Sequence, residues 1–154
     1  MSPEEDKLTA LGLALPQPMS PVANYVPFVR SGNLVHIAGQ ISMVGENSVG
    51  GHLGRDLTLE DGKRAARLSA LNLLAQMKAA AGGLENVARV VKLNGFVQAV
   101  PEADGTLIPQ IINGASDLMV EVFGDRGRHA RAAVSCPSLP RNVAVEIDAV
   151  IEVK

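Results

Sequence analysis

Two charged residues, Arg131 and Glu146, interrupt apolar, strand-like runs in the last third of the chain. Period-2 alternation predicts one strand around each residue, from 129 to 135 and from 142 to 153. If these strands pair as a hairpin with Ser135 opposite Asn142, Arg131 lies directly opposite Glu146 on one sheet face. Such an arginine can bind the carboxylate of a substrate. The glutamate can then hold the arginine in place or transfer protons to and from the substrate. The alternative is a cross-strand salt bridge, which contributes under about 1 kcal/mol when exposed.

Composition predicts one soluble globular domain with an aliphatic core. The 154 residues are 47% hydrophobic, 19% charged and only 3% aromatic, with a net charge of −2. Few aromatic residues and a nearly neutral surface disfavour nucleic acid as a partner, apart from a local cluster of Arg126, Arg128, His129 and Arg131. No apolar run is long enough to span a bilayer, and the acidic N-terminus lacks a secretory signal, so we expect no membrane partner and a cytoplasmic location.

The numbers and spacing of cysteine and histidine residues argue against a disulfide and a metal site. Cys136 is the only cysteine, so an internal disulfide is excluded, and the three histidines show no metal-ligand spacing. The glycine-rich segment 45–54 lacks the GK[ST] ending of a phosphate-binding loop and is interpreted as a flexible surface loop. We therefore expect neither a metal nor another cofactor.

Turn and capping signals divide the chain into elements. Ser2 and Pro3 begin a short helix that ends near Gly12, and a proline-rich linker follows. Thr58 caps the clearest helix, which Gly82 and Gly83 end. The remaining predicted elements are a hairpin of strands 25–30 and 34–41, a strand from Asn86 towards Pro101, a helix over 108–123 and the two last strands.

This order, β-β-α-β-α-β-β after a small N-terminal helix, predicts a two-layer α+β domain with both helices on one face of the sheet. The other sheet face would carry the outward apolar residues of several strands. Burying that face between copies of the chain is the natural solution, so we expect an oligomer.

Four ordered motifs carry a resemblance to a known family: ANYVPFVRSGNLVHIAGQI, the capped helix, NGASDLMVEVFG and ARAAV…LPRNVAVEIDAV. Together they resemble the RidA/YjgF family of enamine/imine deaminases, often described as endoribonuclease L-PSP. The similarity covers residues 25–154, which we treat as the family domain, and leaves 1–24 as an N-terminal helix and proline-rich extension. It implies a chorismate-mutase-like fold with a mixed sheet, a homotrimer, and active sites in the clefts between subunits.

The resemblance also implies roles for individual residues. Arg131 would grip the substrate carboxylate and Glu146 would position or activate water, while Tyr25, Gly39 and Asn113 would line the pocket. Each of the last three has a structural alternative. Tyr25 would be a strand residue covering the helix layer, Asn113 a helix cap or turn residue, and Gly39 a point of close backbone approach.

The chain departs from the family pattern where many members carry a cysteine two residues after the arginine, since Ala133 stands there. Cys136 does not replace that cysteine, because strand parity places it on the face opposite Arg131.

Three functions remain open from the sequence. The first is hydrolysis of reactive imine or enamine acids such as 2-aminoacrylate to 2-keto acids and ammonia. The second is non-catalytic binding of small keto or other carboxylic acids. The third is RNA cleavage or inhibition of translation.

Overall fold

A computed structural model describes residues 1–154. Its helices are α1 (Pro3–Ala10), α2 (Leu59–Ala81) and α3 (Leu107–Phe123). Its strands are β1 (Phe28–Ser31), β2 (Leu34–Ile41), β3 (Met43–Val44), β4 (Asn47–Ser48), β5 (Val87–Gln98), β6 (Ala130–Cys136) and β7 (Val145–Val153). Three short 3-10 turns complete the chain, at Leu84–Asn86, Gly124–Gly127 and Pro140–Asn142.

The five longer strands form one mixed sheet in the order β1-β2-β7-β5-β6. Neighbouring strands are antiparallel except β5 and β6, which run parallel because α3 returns the chain across the sheet between them. Helices α2 and α3 pack together and against the same side of this sheet. The predicted α+β architecture with both helices on one face is thereby confirmed.

The predicted hairpin of the last two strands is wrong, because β5 lies between β6 and β7. Arg131 aligns with Leu93, and Leu93 aligns with Ala149; both partners are buried in the core. Residues opposite each other on neighbouring strands share a sheet face, so Arg131 points towards the helix layer. Glu146 alternates with buried Val145 and Ile147 and therefore points to the other face.

The physical cause of that error is the connection between the two strands. It contains Pro137 and Pro140, which donate no backbone hydrogen bond, and Arg141 and Asn142 both adopt left-handed backbone conformations. The connection thereby crosses the end of β5 instead of folding back beside β6. The apolar strand β7 takes a central position between β2 and β5, where both of its edges are hydrogen-bonded.

Local signals predicted the helices well. Ser2 caps α1 in a capping box with Glu5, and Thr58 accepts a hydrogen bond from the backbone N–H of Asp61 at 3.1 Å. The left-handed Gly82 follows α2, as its position after the apolar pattern predicts. Leu8 of α1 is buried in the same core as α2 and α3, so the N-terminal helix is an integral part of the packing.

The 45–54 segment differs from the predicted flexible loop. Strand β4 of this segment pairs with β3, which lies just before it, and the side chains of Val49 and Leu53 are buried in the core. Leu53 also forms backbone bridges to Leu57 and Ala99. Burial of these two aliphatic side chains ties the segment to the domain.

Candidate functional site

A cavity of about 200 Å³ opens beside the end of β2. It is smaller than the roughly 300–1,000 Å³ typical of drug-sized ligands, so it suits a small metabolite. Four regions of the chain meet there: the proline-rich linker, the bulged end of β2, the turn before β7, and β7 itself. The side chains and backbone that matter for chemistry are those of Tyr25, Gly39, Arg141 and Glu146.

Glu146 supplies the carboxylate of this cavity. Partial burial raises the pKa of the Glu146 carboxyl, and the neighbouring Asp148 raises it further. No hydrogen-bond donor or cation offsets these two effects. A carboxylate whose pKa is raised in this way holds a proton more strongly than an ordinary carboxylate, so it is suited to accept and return one.

Gly39 leaves room for that carboxylate. A β-carbon added at Gly39 would lie 2.6 Å from Oε2 of Glu146, which is closer than any real contact of this kind. The register of β2 against β7 also shifts between Ile37 and Gln40, so the strand bulges at this point. The backbone of Gly39 approaches Glu146 closely, and it does so at the wall of the cavity. The structural and the pocket interpretations of Gly39 are therefore compatible.

Tyr25 lies before β1, which begins at Phe28, and its side chain is more than half exposed. The alternative in which it covers the helix layer as a strand residue is wrong. Its ring instead borders the cavity beside Gly39.

Arg131 and Asn113 come together, but outside this cavity. The Nη1 atom of Arg131 donates to Oδ1 of Asn113 at 2.7 Å and to Oγ of Ser116 at 3.1 Å, and Nη2 donates to the carbonyl of Pro109 at 3.3 Å. Asn113 lies in the second turn of α3, so it holds the arginine and does not cap the helix.

Two further side chains surround Arg131. The sequence analysis did not identify Ser116, and it named His129 only as part of the basic cluster. Oγ of Ser116 lies 2.9 Å from Nε2 of His129, whose Nδ1 lies 2.6 Å from the carbonyl of Gly127. Burial lowers the pKa of His129, and the charge of Arg131 lowers it further. The neutral imidazole then accepts from Ser116, whose lone pairs accept from Arg131.

Arg141 and the linker are the cavity residues that sequence reasoning missed. Arg141 follows Pro140 in the turn before β7, and the linker contributes Met19, Ser20, Pro21 and Val22. The Pro140-Arg141-Asn142 turn signal was present in the sequence, but its position beside Glu146 depends on pairing between distant strands.

Cys136 and Ala133 occupy the faces that parity predicts. Ala133 packs at the edge of the core on the helix side. Cys136 lies on the other side, where partial burial raises the pKa of its thiol and the charge of Glu146 raises it further. The thiol is thus kept protonated, which opposes a nucleophilic role.

The basic cluster between 126 and 131 is largely engaged with the rest of the chain. Arg126 donates to Glu4 and to the carbonyl of Val87, and Arg128 pairs with Asp125 at 3.3 Å. His129 and Arg131 have the partners given above. The structure contains no group of three or more His, Cys, Asp or Glu side chains arranged to hold a metal ion. None of its helices combines the length and apolar character needed to cross a membrane.

Comparison with known proteins places this chain and its fold in a family. A family model described as "YjgF/chorismate mutase-like, putative endoribonuclease" matches residues 5–152. Protein TCP17 of Trypanosoma cruzi is 47% identical over 150 residues, which cover 94% of this chain and 91% of that protein.

Two crystal structures have closely similar folds. Protein Atu1372 of Agrobacterium tumefaciens is 49% identical, with a TM-score of 0.91 and coverage of 99% of this chain and 93% of that one. A protein of Shewanella oneidensis MR-1 is 32% identical, again with a TM-score of 0.91, and covers 97% of this chain and 99% of that one. On the extent of these matches, the chain is a member of the RidA/YjgF family.

Proposed function

We propose that this protein hydrolyses small imine and enamine acids, such as 2-aminoacrylate and its imine tautomer, to 2-keto acids and ammonia. The observation that carries the proposal is Glu146, a carboxyl group with a raised pKa and no partner within the chain, at the wall of a metabolite-sized cavity. An imine carbon is already electrophilic, so the reaction requires a positioned water, a proton acceptor and a grip on the substrate carboxylate.

The residues divide the work as follows. Ionised Glu146 takes a proton from water as the oxygen attacks the imine carbon, and it then passes that proton to the nitrogen to give a carbinolamine. Glu146 next takes the hydroxyl proton of the carbinolamine and returns it to the amino group as the C–N bond breaks, which leaves the keto acid, ammonia and ionised Glu146. The overall balance is imine acid plus water to keto acid plus ammonia. A guanidinium group holds the substrate carboxylate throughout.

The five residues that the resemblance implies fall into two groups. Tyr25, Gly39 and Glu146 border the cavity, whereas Arg131 and Asn113 lie on the helix side of β6. Strand β6 is one edge of the sheet and β1 is the other. Within the proposed function, we therefore assign the two groups to different copies of the chain, so that Arg131 of one copy completes the cavity of the next. The expected homotrimer provides three such junctions.

Complementation between inactive variants tests this arrangement. Arg131→Ala and Glu146→Gln should each lower deamination of 2-aminoacrylate by about 10²–10⁴-fold, measured as ammonia release. Chains of both variants, co-expressed in equal amounts, should regain activity. In a randomly mixed ring, about a quarter of the junctions combine an intact Glu146 with an intact Arg131, so about a quarter of the wild-type rate is expected.

Controls separate the possible failures. Arg67→Ala removes an arginine that pairs with Glu121 on the helix surface and should leave the rate unchanged. No recovery in the mixed oligomer would place both residues in one subunit and refute the shared site. Wild-type binding of keto acids without ammonia release would select the non-catalytic binder. RNA cleavage that survives Arg131→Ala would favour the endoribonuclease activity named in the family description.

A further inference from the structure

Arg141 borders the cavity without a carboxylate partner. None of the ion pairs in the chain includes it, and its one side-chain hydrogen bond is from Nη1 to the sulfur of Met43 at 3.5 Å. Within one protomer it is the arginine that shares the cavity with Glu146, because Arg131 lies on the other sheet face. Its cationic donors are thus free to meet an anion from a ligand.

The turn that carries Arg141 has an unusual conformation. Arg141 and Asn142 are consecutive residues that both have φ of 57°, and neither is glycine. Such a conformation is unfavourable for residues other than glycine and persists only where the surroundings enforce it. The sequence places side chains at two positions where glycine would relieve the strain, so the surrounding contacts must hold this turn in place.

A buried amide enforces this conformation. Gln98 is 1% exposed; its Nε2 donates to Oδ1 of Asn142 at 2.9 Å, and its Oε1 accepts from the backbone N–H of Leu139 at 2.7 Å. The N–H of Gly51, whose carbonyl also accepts from Nε2 of Gln98 at 2.9 Å, donates to the carbonyl of Asn142 at 3.1 Å. The turn is therefore fixed at both flanks, and Arg141 is held at the cavity while its guanidinium group stays available.

We propose that Arg141 determines substrate specificity by binding a second carboxylate, so that the preferred substrates are imines of 2-keto dicarboxylic acids. This inference rests on the proposed function, in which the first carboxylate is held by Arg131 of a neighbouring copy. The chemistry is unchanged: water adds to the imine carbon and ammonia leaves. Arg141 takes no part in these steps and only holds the far end of the substrate.

Keto-acid binding tests the assignment without requiring turnover. The probes are 2-oxoglutarate and 2-oxopentanoate, which have the same chain length and differ in the terminal carboxylate. Calorimetric titration of the wild-type protein should give at least about tenfold tighter binding of 2-oxoglutarate, the gain typical of a charge-assisted hydrogen bond. Arg141→Ala should remove this preference by weakening 2-oxoglutarate alone, and Arg141→Lys should restore part of it.

The matched control is Arg64→Ala, which removes an exposed arginine of α2 and should preserve the preference. An equal loss of affinity for both acids would overturn the inference, because Arg141 would then hold the carboxylate that the two share. Unchanged binding of both acids by Arg141→Ala, or a wild-type protein without the preference, would also overturn it. A retained preference in a protein that releases no ammonia would instead refute only the deaminase proposal.

Discussion

At the scale of single residues, the proposed reaction depends on the pKa of the Glu146 carboxyl group. Glu146 sits on a central strand, where burial raises its pKa, and Asp148 two residues later on the same face raises it further. Asp148 is itself held by Nδ2 of Asn94 at 2.8 Å. The site thus favours the protonated form of Glu146 more than water does, which suits the proton-transfer role proposed for it.

This raised pKa predicts a pH-dependent cost in stability. The folded chain binds the Glu146 proton more tightly than the unfolded chain does, so this stabilisation is fully present below the unfolded pKa and is lost as pH rises through the folded pKa. Glu146→Gln should therefore become more stable relative to wild type as pH increases from about 4 to 8. Urea unfolding at several pH values measures the difference. The exposed control Glu102→Gln should show no comparable trend; a Glu146→Gln gain that does not vary with pH would contradict the assignment.

At the scale of elements, the contact between α2 and α3 positions the Arg131 half of the site. A β-carbon at Gly114 would lie 2.2 Å from the backbone carbonyl of Lys63, so the two helices touch at their backbones. Gly114 follows Asn113, which holds Arg131. The glycine inside an otherwise strong helix pattern is explained by this close crossing.

Gly114→Ala should consequently destabilise the fold. Alanine has the higher helix propensity, worth about 1 kcal/mol, but the clash with backbone at the crossing should outweigh it and leave a net loss of about 1–3 kcal/mol. Gly105→Ala is the matched control, because a β-carbon there meets nothing within 4 Å. Chemical denaturation of both variants gives the comparison. A Gly114→Ala protein as stable as wild type would mean that the helices separate at little cost.

At the scale of the whole molecule, the sheet face opposite the helices leaves several large aliphatic side chains uncovered by the rest of the chain. Val29, Leu34 and Val134 are exposed there, at 55%, 40% and 48% of their surface. Large aliphatic side chains on one continuous face are typical of an interface between subunits. This face also carries Glu146, so the proposed assembly and the proposed reaction would use the same surface.

Val134→Lys should weaken assembly by placing a charge on that face. We expect wild-type chains of 16.1 kDa to sediment as a trimer and the variant to shift towards the monomer, with loss of deamination. Leu11→Lys, at the C-terminal end of α1 on the other side of the molecule, is the control and should leave the mass unchanged. A wild-type protein that sediments as a monomer would contradict both the trimer and the shared site.

The sequence by itself determined the local structure of this protein, because caps, glycine stops and hydrophobic periodicity act between near neighbours. Thr58, Gly82 and the apolar face of α3 specified their helices, and the motif order around Arg131 and Glu146 indicated the family. Only the tertiary structure decided which strands pair. Insertion of β5 between β6 and β7 placed Arg131 and Glu146 on opposite faces and brought Arg141 to the cavity. Strand order depends on contacts between residues distant in sequence. The alternation of apolar and polar residues within one strand does not specify which strands will lie beside it.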